Sequence, residues 1–467
     1  MSETKKGLNI STKSFITAII VIFVLMVLTY ILTLFVPGGA YARTVDETGN
    51  TIIDTAKGYR QVQGGIPFLK WLFSPILVLG AEGNGSLIAI IIFLLVIGGV
   101  FNSLEKCGLM KYLLGRITAK FGQSRYKLLA VVTLFFMSMG AFIGSFEECV
   151  PLVPIVVALS LTLGWDAIAG LGMSILAAGC GFAAGVCNPF TVGVAQEIAG
   201  LPMFSGMWFR IVCFIIIYTL LLWFLLHHVK REERVHGIKD IVTEFEISSA
   251  MDKALVCFVG IVGIGIILVL SSVWITVLQD YTMIIVAVMF LAAGLSSTLL
   301  SGMSAKALGR TFWDGFVSIL PAVLMILMAN SIKYTLTEAN ILDTILHSAV
   351  QVAETLPRWV VILFIYFVVL VMNFFIASGS AKAFLLLPLI IPVAQIFEIP
   401  LQLCIVAFAF GDGFSNVFYP TNPVLLISLG LADVSYVTWV KWSWKFQLAN
   451  LALTSVLLLF GLAIGYC

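Results

Sequence analysis

The sequence predicts an all-α polytopic membrane protein built as an inverted repeat, with two re-entrant hairpins and two broken helices. Three observations carry this. Of 467 residues, 61% are hydrophobic and 11% charged, against roughly 25% charged in an average soluble domain. Two long apolar runs are interrupted midway by small and polar residues. The same punctuation then recurs at one fixed offset along the chain.

Apolar runs lie at about 15–36, 86–104, 128–163, 167–200, 208–228, 254–278, 281–300, 314–336, 359–397, 401–431 and 446–465, many of them near the roughly 20 residues a spanning helix needs. Residues 1–14 are polar, with Lys5, Lys6 and Lys13, and the run after them has no small-residue cleavage signal, so it reads as a first membrane helix. Lys and Arg cluster before residue 15, at 105–127, at 229–253 and at Lys306, Arg310, Lys441 and Lys445. The positive-inside rule makes these segments, and the N-terminus, cytoplasmic. Runs 128–163 and 359–397 must then enter and leave on one side each, the first from the cytoplasm and the second from outside. Their turns carry Gly140 to Glu148 and Asn373 to Lys382, and non-helical backbone at membrane depth survives only where protein or water shelters it.

The prolines give an independent test. Pro154 and Pro388 are 234 residues apart (388 − 154), and so are Asn188 and Asn422 of the two Asn-Pro pairs (422 − 188). The predicted organisation is a first repeat over 1–228, with a hairpin at about 128–163 and a broken helix at about 167–200. A cytoplasmic loop and linking helix follow over 229–278. A second repeat spans 279–467, with its hairpin at about 359–397 and its broken helix at about 401–431.

Chemistry is expected at the breaks, CGFAAGVCNPFTVG (180–193) and GDGFSNVFYPTNP (411–423). Proline removes an amide donor and disfavours helix at the residue before it, so carbonyls near Asn188 and Asn422 lose partners and become candidate cation ligands. The restarting half-helices aim positive ends at the same place, which suits a carboxylate. A plain proline kink packed by small residues is the simpler alternative. At the tips, Ser145, Glu147 and Glu148 stand in GSFEEC, and Ser378, Gly379, Ser380 and Lys382 in SGSAK. Buried charge in a membrane is expensive, so these groups line a cavity or pair. Two adjacent carboxylates resist joint ionisation, and one of them is a candidate proton carrier. Lys382 is either an anchor for a substrate carboxylate or the neutralising partner of Asp412. Thr191 and Thr421 flank the two Asn-Pro pairs as further candidate ligands. The expected substrate-binding set is therefore Ser145, Glu147, Glu148, Asn188, Thr191, Ser378, Gly379, Ser380, Lys382, Thr421 and Asn422. Glu147, Glu148, Asn188, Asp412 and Asn422 are candidates for a coupling sodium ion or proton. Trp439, Trp442 and Trp444, next to Lys441 and Lys445, read as interfacial anchors.

Other classes fit poorly. A net charge of +2 leaves no footprint for nucleic acid. The eight cysteines have no metal-ligand spacing and read as buried free thiols. FGDG at 410–413 lacks the preceding glycine of membrane aspartyl proteases, since position 409 is Ala, and Ser380 with Lys382 points to two faces of a helix. The four histidines lie at run ends or in loops, which argues against a histidine metal site and leaves no cofactor to expect.

The segments GSFEECVPLVP, CNPFTVGVAQEIAGLP, NFFIASGSAKA and FGDGFSNVFYPTNP together resemble the YfcC family, a branch of the DcuC-like C4-dicarboxylate carriers in the ion transporter superfamily. The resemblance covers most of the chain. It implies an elevator-type secondary transporter in the bacterial inner membrane, working as a homodimer on a small carboxylate-bearing solute such as a C4-dicarboxylate or an amino acid. An arginine/ornithine-type antiporter is the alternative. The family pattern matches at Glu147, Glu148, Asn188, Pro189, Ser378, Gly379, Ser380, Asp412, Pro420 and Thr421. Lys382 and Asn422 depart from it, where relatives carry a neutral residue and a serine.

Overall fold

The structure, a computed structural model, describes residues 12–45, 51–53, 57–81, 85–121, 124–236, 248–271, 275 and 281–467. The lysines before residue 12, Lys239 and the end of the predicted helix at 254–278 lie outside them. Among the described residues, nine helices are long and apolar enough to cross a membrane. Large apolar side chains such as Phe35, Trp223, Val256, Ile264 and Phe367 stand exposed around the periphery, as expected where the surrounding solvent is hydrocarbon.

Element order repeats along the chain. Helix Gly85–Lys106 leads into the short amphipathic Leu109–Phe121, and Leu320–Glu338 leads likewise into Leu342–Ala353. Each short helix is followed by a hairpin-like pair. In the first, Arg125–Ser138 runs on into a wide π turn, Met139–Ile143, breaks at Gly144 and resumes as Glu147–Leu152 and Val153–Thr162. In the second, Arg358–Phe375 breaks at Ile376 and resumes as Gly379–Ile396, with its two arms in contact. Then comes an interrupted helix: Ala167–Leu171 to Ala177–Ala184, resuming at Pro189, and Leu401–Asn416, resuming as Pro423–Leu431. A long helix closes each half, Met207–His236 and Tyr436–Ala463.

The two interrupted helices form the buried centre. A Cβ placed on Gly179 lies 2.3 Å from Val417, one on Gly413 lies 2.3 Å from Ala183, and one on Gly185 lies 3.5 Å from Ala409. Residue numbers rise on one helix as they fall on the other, so the helices pass antiparallel with backbones nearly touching. That approach is available only where side chains are absent or one carbon long.

Three features differ from the sequence reading. Residues 39–61 hold two short antiparallel pairs, β1 (Gly39–Tyr41) with β4 (Tyr59–Gln61) and β2 (Arg43–Val45) with β3 (Thr51–Ile53), where no element was expected. They dock on Leu342–Ala353: Arg43 pairs with Asp343 at 3.0 Å, and Tyr59 stacks on His347 with ring centroids 4.1 Å apart. Helix Ala305–Ser318 begins before the apolar run expected at 314, overlaps its start and continues almost without pause into Leu320–Glu338. Trp439 is not an interfacial anchor; it is fully buried against the second break, whereas Trp444 is 43% exposed. The eight cysteines are free, with Cys149, Cys180, Cys213 and Cys404 buried and Cys467 exposed.

Candidate functional site

Both tips are built by residues that end one helix and start the next. Gly144 adopts φ 76°, a left-handed conformation that favours glycine. A Cβ on it would also stand 2.3 Å from Asn188 Oδ1, so glycine here sets the first tip directly against the first break. Cys187 N donates to Ala141 O at 3.1 Å across the same junction. At the second tip Ser378 caps the resuming helix, its Oγ accepting from Ala381 N at 3.4 Å.

Between the tips and the second break lies a cavity of about 400 Å³, inside the range of roughly 300–1,000 Å³ usual for small-molecule sites. The first tip contributes Glu147 and Glu148, the second Ser378, Gly379 and Ser380, and the break Asn416, Thr421 and Asn422. Helix Leu320–Glu338 adds Asn330 and Lys333 one turn apart. Phe146, Phe182, Phe190, Phe374 and Phe375 make up much of the apolar wall. The cavity thus presents carboxylates and an ammonium on apolar surroundings that strengthen every charge interaction inside.

Lys382 does not line this cavity. Its Nζ is fully buried behind the second tip, donating to Asp412 Oδ1 at 2.5 Å, to Ile376 O at 3.0 Å and to Asn373 Oδ1. Asn373 is itself fixed, its Nδ2 facing Asp412 O at 2.9 Å, Ser415 Oγ at 2.6 Å and Asn416 Oδ1 at 2.8 Å. Lys382 and Asp412 therefore satisfy much of each other's charge within one network.

The breaks carry their own caps. Asn188 Oδ1 accepts from Phe190 N at 2.9 Å, and Asn422 Oδ1 accepts from Val424 N at 2.9 Å and Leu425 N at 3.4 Å, so the side chain at each Asn-Pro occupies the first free amides of the restarting helix. Freed carbonyls are also taken. Arg210, fully buried, donates through Nε to Val186 O at 3.0 Å, and Trp439 Nε1 donates to Val417 O at 2.8 Å. These are carbonyls of the kind expected to stand open for a cation. Side-chain donors from the two closing long helices fill them instead.

Of the residues singled out from sequence, Glu147, Glu148, Ser378, Gly379, Ser380, Thr421 and Asn422 meet at the cavity. Ser145, Asn188, Thr191, Lys382 and Asp412 are buried beside it rather than lining it. Three of these buried groups keep a polar atom without a hydrogen-bond partner, Asn188 Nδ2, Thr191 Oγ1 and Asp412 Oδ2, and so does Thr421 at the cavity wall, through Oγ1. The sequence reading missed Lys333, Asn330 and Asn373. A lone cation inside the apolar run 320–338 was signal enough for Lys333; Asn373 gave none beyond its place in the tip. Away from the site, His228 Nε2 lies 3.1 Å from both carboxylate oxygens of Asp166, which also caps a helix by accepting from Ala169 N at 2.8 Å.

A multi-pass helical bundle with a small, charged, buried cavity between paired tips and breaks has the form of a solute carrier rather than of an enzyme or a receptor. The chain belongs to the DcuC family, described as C4-dicarboxylate anaerobic carriers, whose model matches residues 15–463. It is 30% identical over 375 residues to YfcC of Escherichia coli (strain K12), covering 76% of this chain and 74% of that one. A protein of Haemophilus influenzae Rd without assigned function is 25% identical over 375 residues, covering 77% and 72%. Among solved structures, the YdaH transporter of Alcanivorax borkumensis aligns with TM-score 0.44 at 18% identity over 97% of this chain and 98% of that one. MtrF of Neisseria gonorrhoeae aligns with TM-score 0.43 at 14% identity over 97% and 95%. The chain is a membrane transport protein acting on a small molecule, and not an enzyme.

Proposed function

We propose that the chain is a secondary carrier of a small cationic amino acid, exchanging it across the membrane through the cavity between the two tips. The observation that carries this is the sign of the lining charge: Glu147 and Glu148 on one tip, and Lys333 alone on a separate helix. An α-carboxylate placed at Lys333 leaves an ammonium or guanidinium group to meet the two glutamates, an arrangement of charge-assisted hydrogen bonds. A C4-dicarboxylate, the solute in the family's description, would instead bring two carboxylates to a cavity lined by two carboxyl groups and the single ammonium of Lys333, because Lys382 is spent on Asp412. YfcC is named as a proposed basic amino acid antiporter, which agrees with this reading.

Motion follows from the same geometry. The recurrence of elements at an offset near 234 and the antiparallel passage of the two interrupted helices support an inverted repeat. The breaks at Gly144 and Ile376 support re-entrant hairpins. In this proposal the hairpins and interrupted helices move together against the remaining helices, as a homodimer in a bacterial inner membrane with the N-terminus cytoplasmic.

Counterflow in proteoliposomes loaded with arginine, ornithine, aspartate or succinate, with and without external sodium, tests the assignment. Exchange of arginine for ornithine is the expected result. Accumulation of succinate with indifference to ornithine would return the assignment to a dicarboxylate carrier.

A further inference from the structure

We propose that the Lys382 ammonium is a tethered cation, occupying a site whose oxygens are arranged for a dissociable monovalent ion. Its three acceptors come from three chemical groups: the Asp412 carboxylate, the Asn373 amide oxygen and the main-chain carbonyl of Ile376. Carboxylate, amide and carbonyl oxygens around one point are the ligands that hard cations take. Asn373 and Ile376 are held in place by contacts other than the lysine, Ile376 N donating to Met372 O at 2.9 Å. Ile376 has left the helix at φ −126°, ψ 93°. The Asn373 amide is fixed by its Nδ2 contacts to the interrupted helix, and Asp412 is fully buried within that helix.

Asp412 Oδ2 has no hydrogen-bond partner, and neither has the buried Thr191 Oγ1. A Cβ on Gly379 would lie 2.8 Å from Asp412 Oδ2 and 2.8 Å from Thr191 Cγ2. The restarting half-helix of the first repeat, the second tip and Asp412 therefore converge with more oxygen than the lysine uses. At the matching offset the first half has Glu148 for Lys382, Ala178 for Asp412 and Met139 for Asn373, so neither the carboxylate nor the ammonium is repeated. A built-in cation belongs to the second half alone. It leaves that half charged in the same way in every state of the cycle, which suits an exchanger that needs no ion gradient there. The inference deepens the proposed exchange reading, yet it depends on Asp412 and its neighbours rather than on the identity of the solute.

The test uses the purified full chain without solute, melted in choline, potassium, sodium or lithium chloride at constant ionic strength. Lys382→Ala empties the site while keeping Asp412. This variant is expected to melt lower than wild type in choline and to recover saturably in sodium or lithium, beyond any response of wild type. Lys382→Ala/Asp412→Asn should lose that extra response. If Lys382→Ala cannot be purified in choline, recovery of folded protein when sodium is present throughout is the expected result, and failure in both media overturns the inference. A Lys382→Ala protein indifferent to all four salts, or a double variant that still responds, overturns it equally. Counterflow runs separately: cation-dependent melting without exchange of any amino acid would retain the tethered cation and reject the solute assignment, and the converse result would do the reverse.

Discussion

Adding one methyl group at the crossing of the interrupted helices is a demanding test of the architecture, because the structure leaves nowhere for it to go. In Gly413→Ala the new Cβ would stand 2.3 Å from both Cα and N of Ala183 and 2.4 Å from its Cβ. Carbon atoms at ease are about 3.5–4.0 Å apart, so the helices must part by roughly 1 Å at this point. No flexible side chain lies there to give way. One helical turn on, Gly179 already rests on Val417, so the separation propagates along the crossing. Overpacking of this kind costs about 1–3 kcal/mol, and two rigid backbones place the cost at the upper end. The assay is thermal or denaturant unfolding of the purified protein, paired with initial counterflow rate. Gly309→Ala is the control: this exposed helical position has nothing within 4 Å of an added Cβ, and the same substitution there should stabilise by about 0.5–1 kcal/mol. A Gly413→Ala protein as stable and as active as wild type would refute the close antiparallel crossing.

Other predictions concern the caps and the cavity. Trp439→Phe removes the donor to Val417 O and leaves that carbonyl buried, so unfolding free energy should fall by about 1–3 kcal/mol. Lys382→Met, which keeps the apolar stem but strands the Asp412 charge, should cost about 3–5 kcal/mol, and adding Asp412→Asn should restore much of it. Lys333→Met should raise the half-saturating arginine concentration by at least about tenfold, the equivalent of one charge-assisted hydrogen bond, without lowering the melting temperature.

Much of this was legible in the sequence because polar residues and prolines are scarce in an apolar chain. The turns at Gly144 and Ser378 and the breaks before Pro189 and Pro423 could be placed from punctuation alone. The same scarcity made Glu147 and Glu148 visible as cavity residues. What stayed hidden depends on partners far along the chain. Nothing local tells that Arg210 and Trp439 turn inward to cap Val186 and Val417, and a tryptophan among lysines near a helix end has the composition of an interfacial anchor. The choice between Lys382 as a lining charge and as a buried partner rested on a contact between residues 30 apart in the chain. The strands of residues 39–61 were missed because three-residue pairs are too short to show alternation.

If solute sits between the two hairpin tips, it should protect a thiol placed at Ser380. Ser380 lines the cavity beside Gly379. With the exposed Cys467 replaced by serine, Ser380→Cys should react with a small maleimide, and arginine or ornithine at exchanging concentrations should slow that reaction, while a cysteine at exposed Gly309 stays unaffected. Alkylation at Ser380→Cys that proceeds at the same rate with and without a solute the protein demonstrably exchanges would contradict the account, and would place the solute elsewhere in the fold.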